Sequence, residues 1–214
     1  MKKAVHFGAG SIGRGFIGDL LHDSGYEIVF IDMDKEIVKQ INKNNSYDLY
    51  VIEDNYKKKT IENVKAVLLD DEESIINEIT TADIITISVW VDNLSGVASY
   101  LLNGLKKRIE TNNERVNILA CENAIHNGNI LKKEILKLDK NFPESTLDKI
   151  AAFPDTAVDR MVLASVRNGE KARIDFYENG VHITNIVKGG MTYQLMHKEK
   201  QYYKYGSNTV ILTN

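Results

Sequence analysis

The chain has 214 residues, 43% hydrophobic and 27% charged, with a formal net charge of −3. That balance suits a globular protein with one large domain, or one domain and part of a second, and it gives nucleic-acid binding no electrostatic footing. No apolar run approaches the ~20 residues of a membrane span, the start at Lys2 and Lys3 does not resemble a signal peptide, and a single cysteine, Cys121, excludes an internal disulfide and fits a reducing cytoplasm.

The first strand is expected at Ala4-Val5-His6-Phe7, with His6 as a core residue of that strand. Gly8-Ala9-Gly10-Ser11-Ile12-Gly13 follows and fits G-x-G-x-x-G. Ile12, Phe16, Ile17, Leu20 and Leu21 then recur at helical spacing until Gly25, and Glu27 to Ile31 reads as a second strand with Asp32 at its end. Strand, glycine turn, helix, strand and acid together form a dinucleotide-binding fingerprint in its required context. Gly8 permits the tight turn, Gly10 lets a pyrophosphate approach the backbone, and Gly13 lets the helix lie close to the sheet. The helix N-terminus faces the phosphates with unpaired N–H groups and the positive end of its dipole, and Arg14 adds a charge in the first turn. Asp32 stands where a carboxylate accepts hydrogen bonds from the adenosine ribose. It would also repel a 2′-phosphate, by about 1 kcal/mol per charge pair at ~4 Å in water and about 4 at an effective dielectric of 20. The expected cofactor is therefore NAD rather than NADP.

Beyond Asp32, residues 35–44 read as a helix with Ile37, Val38 and Ile41 on one face. Tyr47 to Glu53 alternates like a half-exposed strand, and a turn at Asp54-Asn55 leads to a second strand near Lys59 to Val64, an antiparallel hairpin inserted into the α/β pattern. Lys57-Lys58-Lys59 reads as a solvated turn. A helix is expected over 72–79, a buried strand over 84–89, a helix over 94–109, a strand over 116–120 and a helix over 129–138, capped by Asn127 or Asn129. A short helix over 145–150 and a short strand over 151–153 complete a doubly wound, Rossmann-type parallel sheet. After Lys171 the chain reads as two strands, 172–177 and 181–187, joined by Asn179-Gly180, and the tail to Asn214 carries no readable domain. The division expected is a dinucleotide-binding domain over 1–165 and a β-rich extension, an incomplete second domain, over 166–214. His22, His182 and His197 read as surface residues, and no His, Cys or acid spacing suggests a metal site.

Ligands of such sheets sit at the carboxyl ends of the strands. Three ends matter: the glycine turn, Val89-Trp90-Val91, and Cys121-Glu122-Asn123 with Ala124-Ile125-His126-Asn127-Gly128 behind it. From spacing alone the last cluster is equally a substrate site or loop and capping chemistry. Asp159 beside Arg160 is a candidate site pair or a surface ion pair.

Three motifs carry a resemblance to the polyol-specific long-chain dehydrogenases. They are His6-Phe7-Gly8-Ala9-Gly10-Ser11-Ile12-Gly13-Arg14-Gly15-Phe16-Ile17-Gly18, Ala120-Cys121-Glu122-Asn123 and Thr156-Ala157-Val158-Asp159-Arg160, spanning residues 1 to about 165. The opening resembles the mannitol-1-phosphate branch. Glu122-Asn123 through His126-Asn127-Gly128, with Phe153-Pro154, is also similar to the mannitol 2-dehydrogenase branch. The resemblance implies reversible hydride transfer between mannitol 1-phosphate and fructose 6-phosphate with NAD, in a cleft between a Rossmann domain and a helical C-terminal domain. It implies a cofactor site at Gly8, Gly10, Ser11, Ile12, Gly13, Arg14, Asp32, Val89, Glu122 and Asn123. It makes Asn123 the hydrogen-bond donor to the reacting oxygen and places Asp159 in the substrate site. The partner implied is a polyol or sugar phosphate, with self-association into a homo-oligomer expected if an apolar face is left uncovered.

The family's proton-transferring lysine lies in a K-x-x-x-x-N-x-x-H pattern that these 214 residues do not contain; Lys204 and Asn208 come nearest, at K-x-x-x-N. Trp90 stands where the family has a small residue, so an indole there either stacks on the cofactor or obstructs it. The expectation is the cofactor half of such an enzyme, weakly active or inactive alone. The alternative is a non-catalytic NAD-binding module, or one half of a two-chain enzyme.

Overall fold

The computed structural model describes residues 1–52, 57–111, 114–122, 124–156, 158, 162–164, 171–178, 181–188 and 209–213. Asn123, Asp159, Arg160, Lys204, Asn208, His197 and the expected turns Asp54-Asn55 and Asn179-Gly180 lie outside them.

Strand β1 (Lys2–Phe7) alternates its faces, Val5 and Phe7 entering one apolar layer and Ala4 the other. Residues 11–23 are helical, with a π turn over Gly13–Ile17 running into α1 (Gly18–Asp23). β2 (Tyr26–Asp32) pairs in parallel with β1. Asp34 then caps α2 (Lys35–Asn44), its carboxylate accepting from the Glu36 and Ile37 amides, and Asn45 ends the helix in a left-handed conformation. β3 (Ser46–Ile52) and β4 (Lys57–Glu62) form the expected antiparallel hairpin.

Here the structure corrects the reading. Asn63, at φ 57°, stops β4 before Val64, and β5 (Val64–Leu68) is a separate strand parallel to β2. The residues 57–59 expected in a turn belong to β4. Lys58 pairs with Asp48, and Lys59 with Asp19 and Asp23.

The chain continues through α3 (Glu72–Thr80), β6 (Ile84–Ile87), a 3-10 turn at Val91–Asn93, α4 (Leu94–Thr111), β7 (Val116–Ala120), α5 (Asn127–Leu138), α6 (Glu144–Ile150) and β8 (Ala151–Ala152). β6 ends two residues before the expected Val89, and α5 starts two residues before the expected Asn129. The parallel sheet runs β5-β2-β1-β6-β7-β8. Counted among its own strands this is the order 3-2-1-4-5-6, the doubly wound arrangement. One face packs on α3, α4, α5 and α6 through Ile75, Ile79, Leu101, Leu105, Leu131 and Leu147. The other packs on α1, α2 and the hairpin through Ile17, Leu21, Ile41, Leu49 and Ile61. Arg108 is buried inside the first layer, where it donates to the carbonyls of Ile79, Thr80, Ala82 and Glu114.

Four further strands follow. β9 (Val162–Ala164) was not expected, β10 (Lys171–Glu178) and β11 (Val181–Lys188) form the expected hairpin, and β12 (Thr209–Thr213) lies in the tail that carried no readable pattern. β12 pairs with β3 and β9, giving a second sheet ordered β4-β3-β12-β9. Among the described residues no helix is long and apolar enough to cross a membrane.

Candidate functional site

The sheet reverses its strand order between β1 and β6, and the glycine turn lies at the carboxyl end of β1, beside that crevice. Gly8 sits at φ +99°, a conformation side chains rarely adopt, and its amide donates to Ile31 O at 2.8 Å. A Cβ there would fall 2.3 Å from the backbone oxygen of Ser88, at the end of β6. A Cβ on Gly13 would fall 1.8 Å from the Gly8 carbonyl oxygen, so the helix starts in contact with the turn. Gly10 differs: nothing lies within 4 Å of its Cβ position, and the residue is exposed. Two glycines are thus needed by the protein's own packing, and the third leaves open space where a pyrophosphate would reach the backbone. That pattern fits a dinucleotide.

Asp32 braces the turn. One carboxylate oxygen accepts from the Ala9 amide at 2.6 Å and the other from the Asp34 amide at 2.9 Å. The carboxylate therefore stands at the end of β2 facing the turn, where a ribose would meet it. Arg14 is buried at 4% exposure, and its Nε donates to the Ala9 carbonyl at 2.7 Å. Its carbonyl in turn accepts from the Tyr47 hydroxyl at 2.8 Å. Burial lowers the Arg14 pKa, opposed by Tyr47, Asp32 and Asp34, but a guanidinium stays charged in proteins. The structure therefore places the Arg14 charge beneath the turn, next to Ala9.

His6 is fully buried under the same turn, as its core position required, yet it is densely hydrogen-bonded. Its Nδ1 lies 2.6 Å from Thr86 Oγ1 and its Nε2 2.9 Å from Ser88 Oγ. Neither hydroxyl was singled out from the sequence. His6 and Thr86 are register partners on adjacent parallel strands, a pairing that only the β1–β6 neighbourhood reveals.

At the next two strand ends, Glu122 joins the loops after β6 and β7. Its Oε1 accepts from the Trp90 amide at 2.9 Å. Burial raises the Glu122 pKa, with the Trp90 and Val89 amides opposing. Trp90 adopts a left-handed φ of 68° and is 79% exposed, while Val89 is half-buried against the first core layer. A cavity of about 480 Å³ opens beside Glu122, lined also by Ala124, Ile125, His126, Asp155, Thr156 and Val158. His126, itself at φ 59°, places Nδ1 3.0 Å from Asp155 Oδ2. The bond from His126 leads the causes that hold the Asp155 carboxyl below its ordinary value.

Of the two asparagines expected to serve the helix start, Asn127 does so, its Oδ1 accepting from the Gly128 amide at 2.8 Å, and Asp155 adds bonds from the Gly128 and Asn129 amides. Asn127 is also buried and ties the loop at Thr156 to Glu122 through its side-chain amide. No spacing signal links Asp155 to the Gly128 amide 27 residues earlier. Of the expected site residues, Gly8, Gly10, Gly13, Arg14 and Asp32 gather at the turn, with Ser11 and Ile12 opening its helix, and Val89 and Glu122 gather at the neighbouring strand ends.

Comparison with known proteins gives the lineage. The family model described as the mannitol dehydrogenase Rossmann domain matches residues 2–184. The chain belongs to that family. A mannitol-1-phosphate 5-dehydrogenase of Thermoanaerobacter pseudethanolicus is 51% identical over 163 residues, covering 76% of this chain and 42% of the relative. Those of Caldanaerobacter subterraneus subsp. tengcongensis and Clostridium acetobutylicum are each 40% identical over 196 residues. They cover 89% and 87% of this chain, and 50% and 51% of the relatives. The chain therefore spans about half the length of the curated relatives it matches.

Proposed function

We propose that this chain is the cofactor-binding half of a polyol-phosphate dehydrogenase that takes NAD and interconverts mannitol 1-phosphate and fructose 6-phosphate. The observation that carries the reading is the glycine turn. Gly8 and Gly13 are locked by contact, Gly10 is open, and Asp32 is hydrogen-bonded to the turn itself. The helix N-terminus and the buried Arg14 charge favour the phosphates from below, and Asp32 favours a ribose with a free 2′-hydroxyl. When bound, the nicotinamide accepts or gives the hydride.

Glu122 fixes the loop that carries Val89 and Trp90 against the end of β7, which sets the wall of the nicotinamide side. Asn123 follows Glu122 and precedes Ala124, and Asp159 follows Val158; all three of those neighbours line the cavity. On this reading Asn123 donates to the reacting oxygen and stabilises the charge that develops there, while Asp159 holds a substrate hydroxyl. The proposed division is a cofactor domain over 1–165 followed by the start of a second unit, self-association covers apolar surface, and the cytoplasm is the compartment. The relatives' greater length supports a catalytic contribution from outside these residues.

The test is a fluorescence titration with NADH and then NADPH, followed by fructose 6-phosphate in the same cuvette. Binding of NADH in preference to NADPH is expected. Oxidation of NADH on adding the sugar phosphate would show a working dehydrogenase, and binding without turnover would show the cofactor half alone. Failure to bind either nucleotide would overturn the proposal.

A further inference from the structure

Beneath the glycine turn lies a chain of polar side chains. Thr86, His6 and Ser88 follow one another across β1 and the end of β6, beneath the first helical turn at Gly13. Ser88 Oγ is 3.5 Å from the Gly8 carbonyl oxygen, to which it donates. The direction of every proton in the chain follows from that end. A carbonyl only accepts, so the Ser88 hydroxyl proton points to Gly8. Ser88 Oγ then accepts from His6 Nε2–H, and Nδ1, left without a proton, accepts from the Thr86 hydroxyl. The ring is edge-on to Phe30, with no carboxylate among these contacts to hold an imidazolium. Burial keeps it neutral, pushing its pKa down to about 3, with the ring's own hydrogen bond to the Gly8 backbone opposing.

The same ring is also a wall. A Cβ on Gly13 would come within 2.8 Å of His6 Nε2, so the first helical turn rests directly on the imidazole. His6 thus touches both sides of the phosphate cradle: the turn, at the Gly8 backbone and through Ser88, and the start of the helix, through van der Waals contact. Asp32 and Arg14 hold the opposite side at Ala9.

We propose that His6 is a positioning residue for the dinucleotide, fixed as the Nε2–H tautomer by Ser88 and acting with Ser88 to hold the Gly8 carbonyl inward, so that amide N–H groups rather than that oxygen face the pyrophosphate. This rests on the reading of the turn as a dinucleotide site. With the Ser88 hydroxyl removed, the carbonyl loses one of its tethers and is held less firmly away from the ligand's negative charge by Gly13 and His6 alone.

The experiment pairs a binding measurement with a spectroscopic one. Ser88→Ala should raise the dissociation constants of NADH and of ADP-ribose by the same factor, about three- to tenfold for one uncharged hydrogen bond, and should lower the melting temperature as well, because the buried His6 Nε2–H loses its acceptor. Ser88→Thr, which keeps the hydroxyl, should restore binding. In the unmodified chain, ¹⁵N–¹H correlation spectra should show His6 with a proton on Nε2 and none on Nδ1, without titration between about pH 5 and 9. Ser88→Ala should abolish that single tautomer, and Thr86→Val should leave it in place. Equal NADH affinity for Ser88→Ala and the unmodified chain, or a proton on His6 Nδ1, would overturn the proposal alone. An unmodified chain that binds no nucleotide would overturn the site reading and this proposal with it.

Discussion

Gly10 and Gly13 are both glycines of one motif, yet the structure predicts opposite responses to the same methyl group. In Gly13→Ala the new Cβ would sit 1.8 Å from the Gly8 carbonyl oxygen and 2.8 Å from His6 Nε2. The first neighbour is backbone and the second is a fully buried ring, so neither side yields by a rotamer change. Overpacking of this kind costs about 1–3 kcal/mol, and at about 2–4 °C per kcal/mol for a chain of this size the melting temperature should fall by roughly 2–12 °C. In Gly10→Ala the methyl meets nothing within 4 Å, and Gly10 is not at positive φ. Stability should be unchanged or rise by about 0.4–1 kcal/mol through the stiffer unfolded chain. NADH affinity, however, should drop at least about tenfold, or 1.4 kcal/mol, because the methyl occupies the open space at the phosphate approach. Scanning calorimetry and NADH titration of both variants are the assay. A Gly10→Ala variant that binds NADH like the unmodified chain, beside a Gly13→Ala variant of undiminished stability, would refute the assignment of separate tasks to the two glycines.

Three other outcomes follow from the same contacts. Asp32→Ser should raise NADPH affinity relative to NADH by at least about tenfold, since one repulsive charge pair at ~4 Å exceeds 1.4 kcal/mol at an effective dielectric of 20; paired titrations check it, and an unchanged ratio would refute the role. Arg108→Met leaves four carbonyl acceptors without their donor and should cost about 3 kcal/mol in urea unfolding, the scale of hydrogen bonds to a charged group. Glu78 is opposed by partial burial, but hydrogen bonds from Lys3 and Lys65 outweigh it and lower its pKa. Because the folded value is the lower one, its stabilisation is in place above the ordinary carboxylate range and is lost as pH falls through the folded value. The stability gap between the unmodified chain and Glu78→Gln should therefore narrow below about pH 4.5; a gap that is constant from pH 7 to pH 3 would contradict it.

What was legible in the sequence was whatever local pattern determines. The glycine spacing, the apolar strands and the acid after Ile31 define β1, the turn, its helix and β2 before any contact is known. What was hidden depends on residues distant in sequence. Val64 continued the apolar alternation of β4, so β5 was visible only through the left-handed Asn63 that separates them and the pairing with β2. Asp155 caps α5 across a loop, which no count from Asn127 reveals. Trp90 sits at a positive φ that its residue type argues against, and its amide is held by Glu122 on another strand end. His6 reads correctly as a core residue from its apolar neighbours, yet its two hydroxyl partners belong to β6 and its end, so the polar chain under the turn exists only once the strand order is known.

The most direct measurement of the central claim is an amide ¹⁵N–¹H titration of the chain with NAD. Large, saturable shifts are expected at Ala9, Gly10, Ser11, Ile12 and Gly13, with Asp34 and Trp90 responding through Asp32 and Glu122. A spectrum unmoved at the glycine turn, or shifts confined to residues away from the carboxyl ends of β1, β2 and β6, would contradict it.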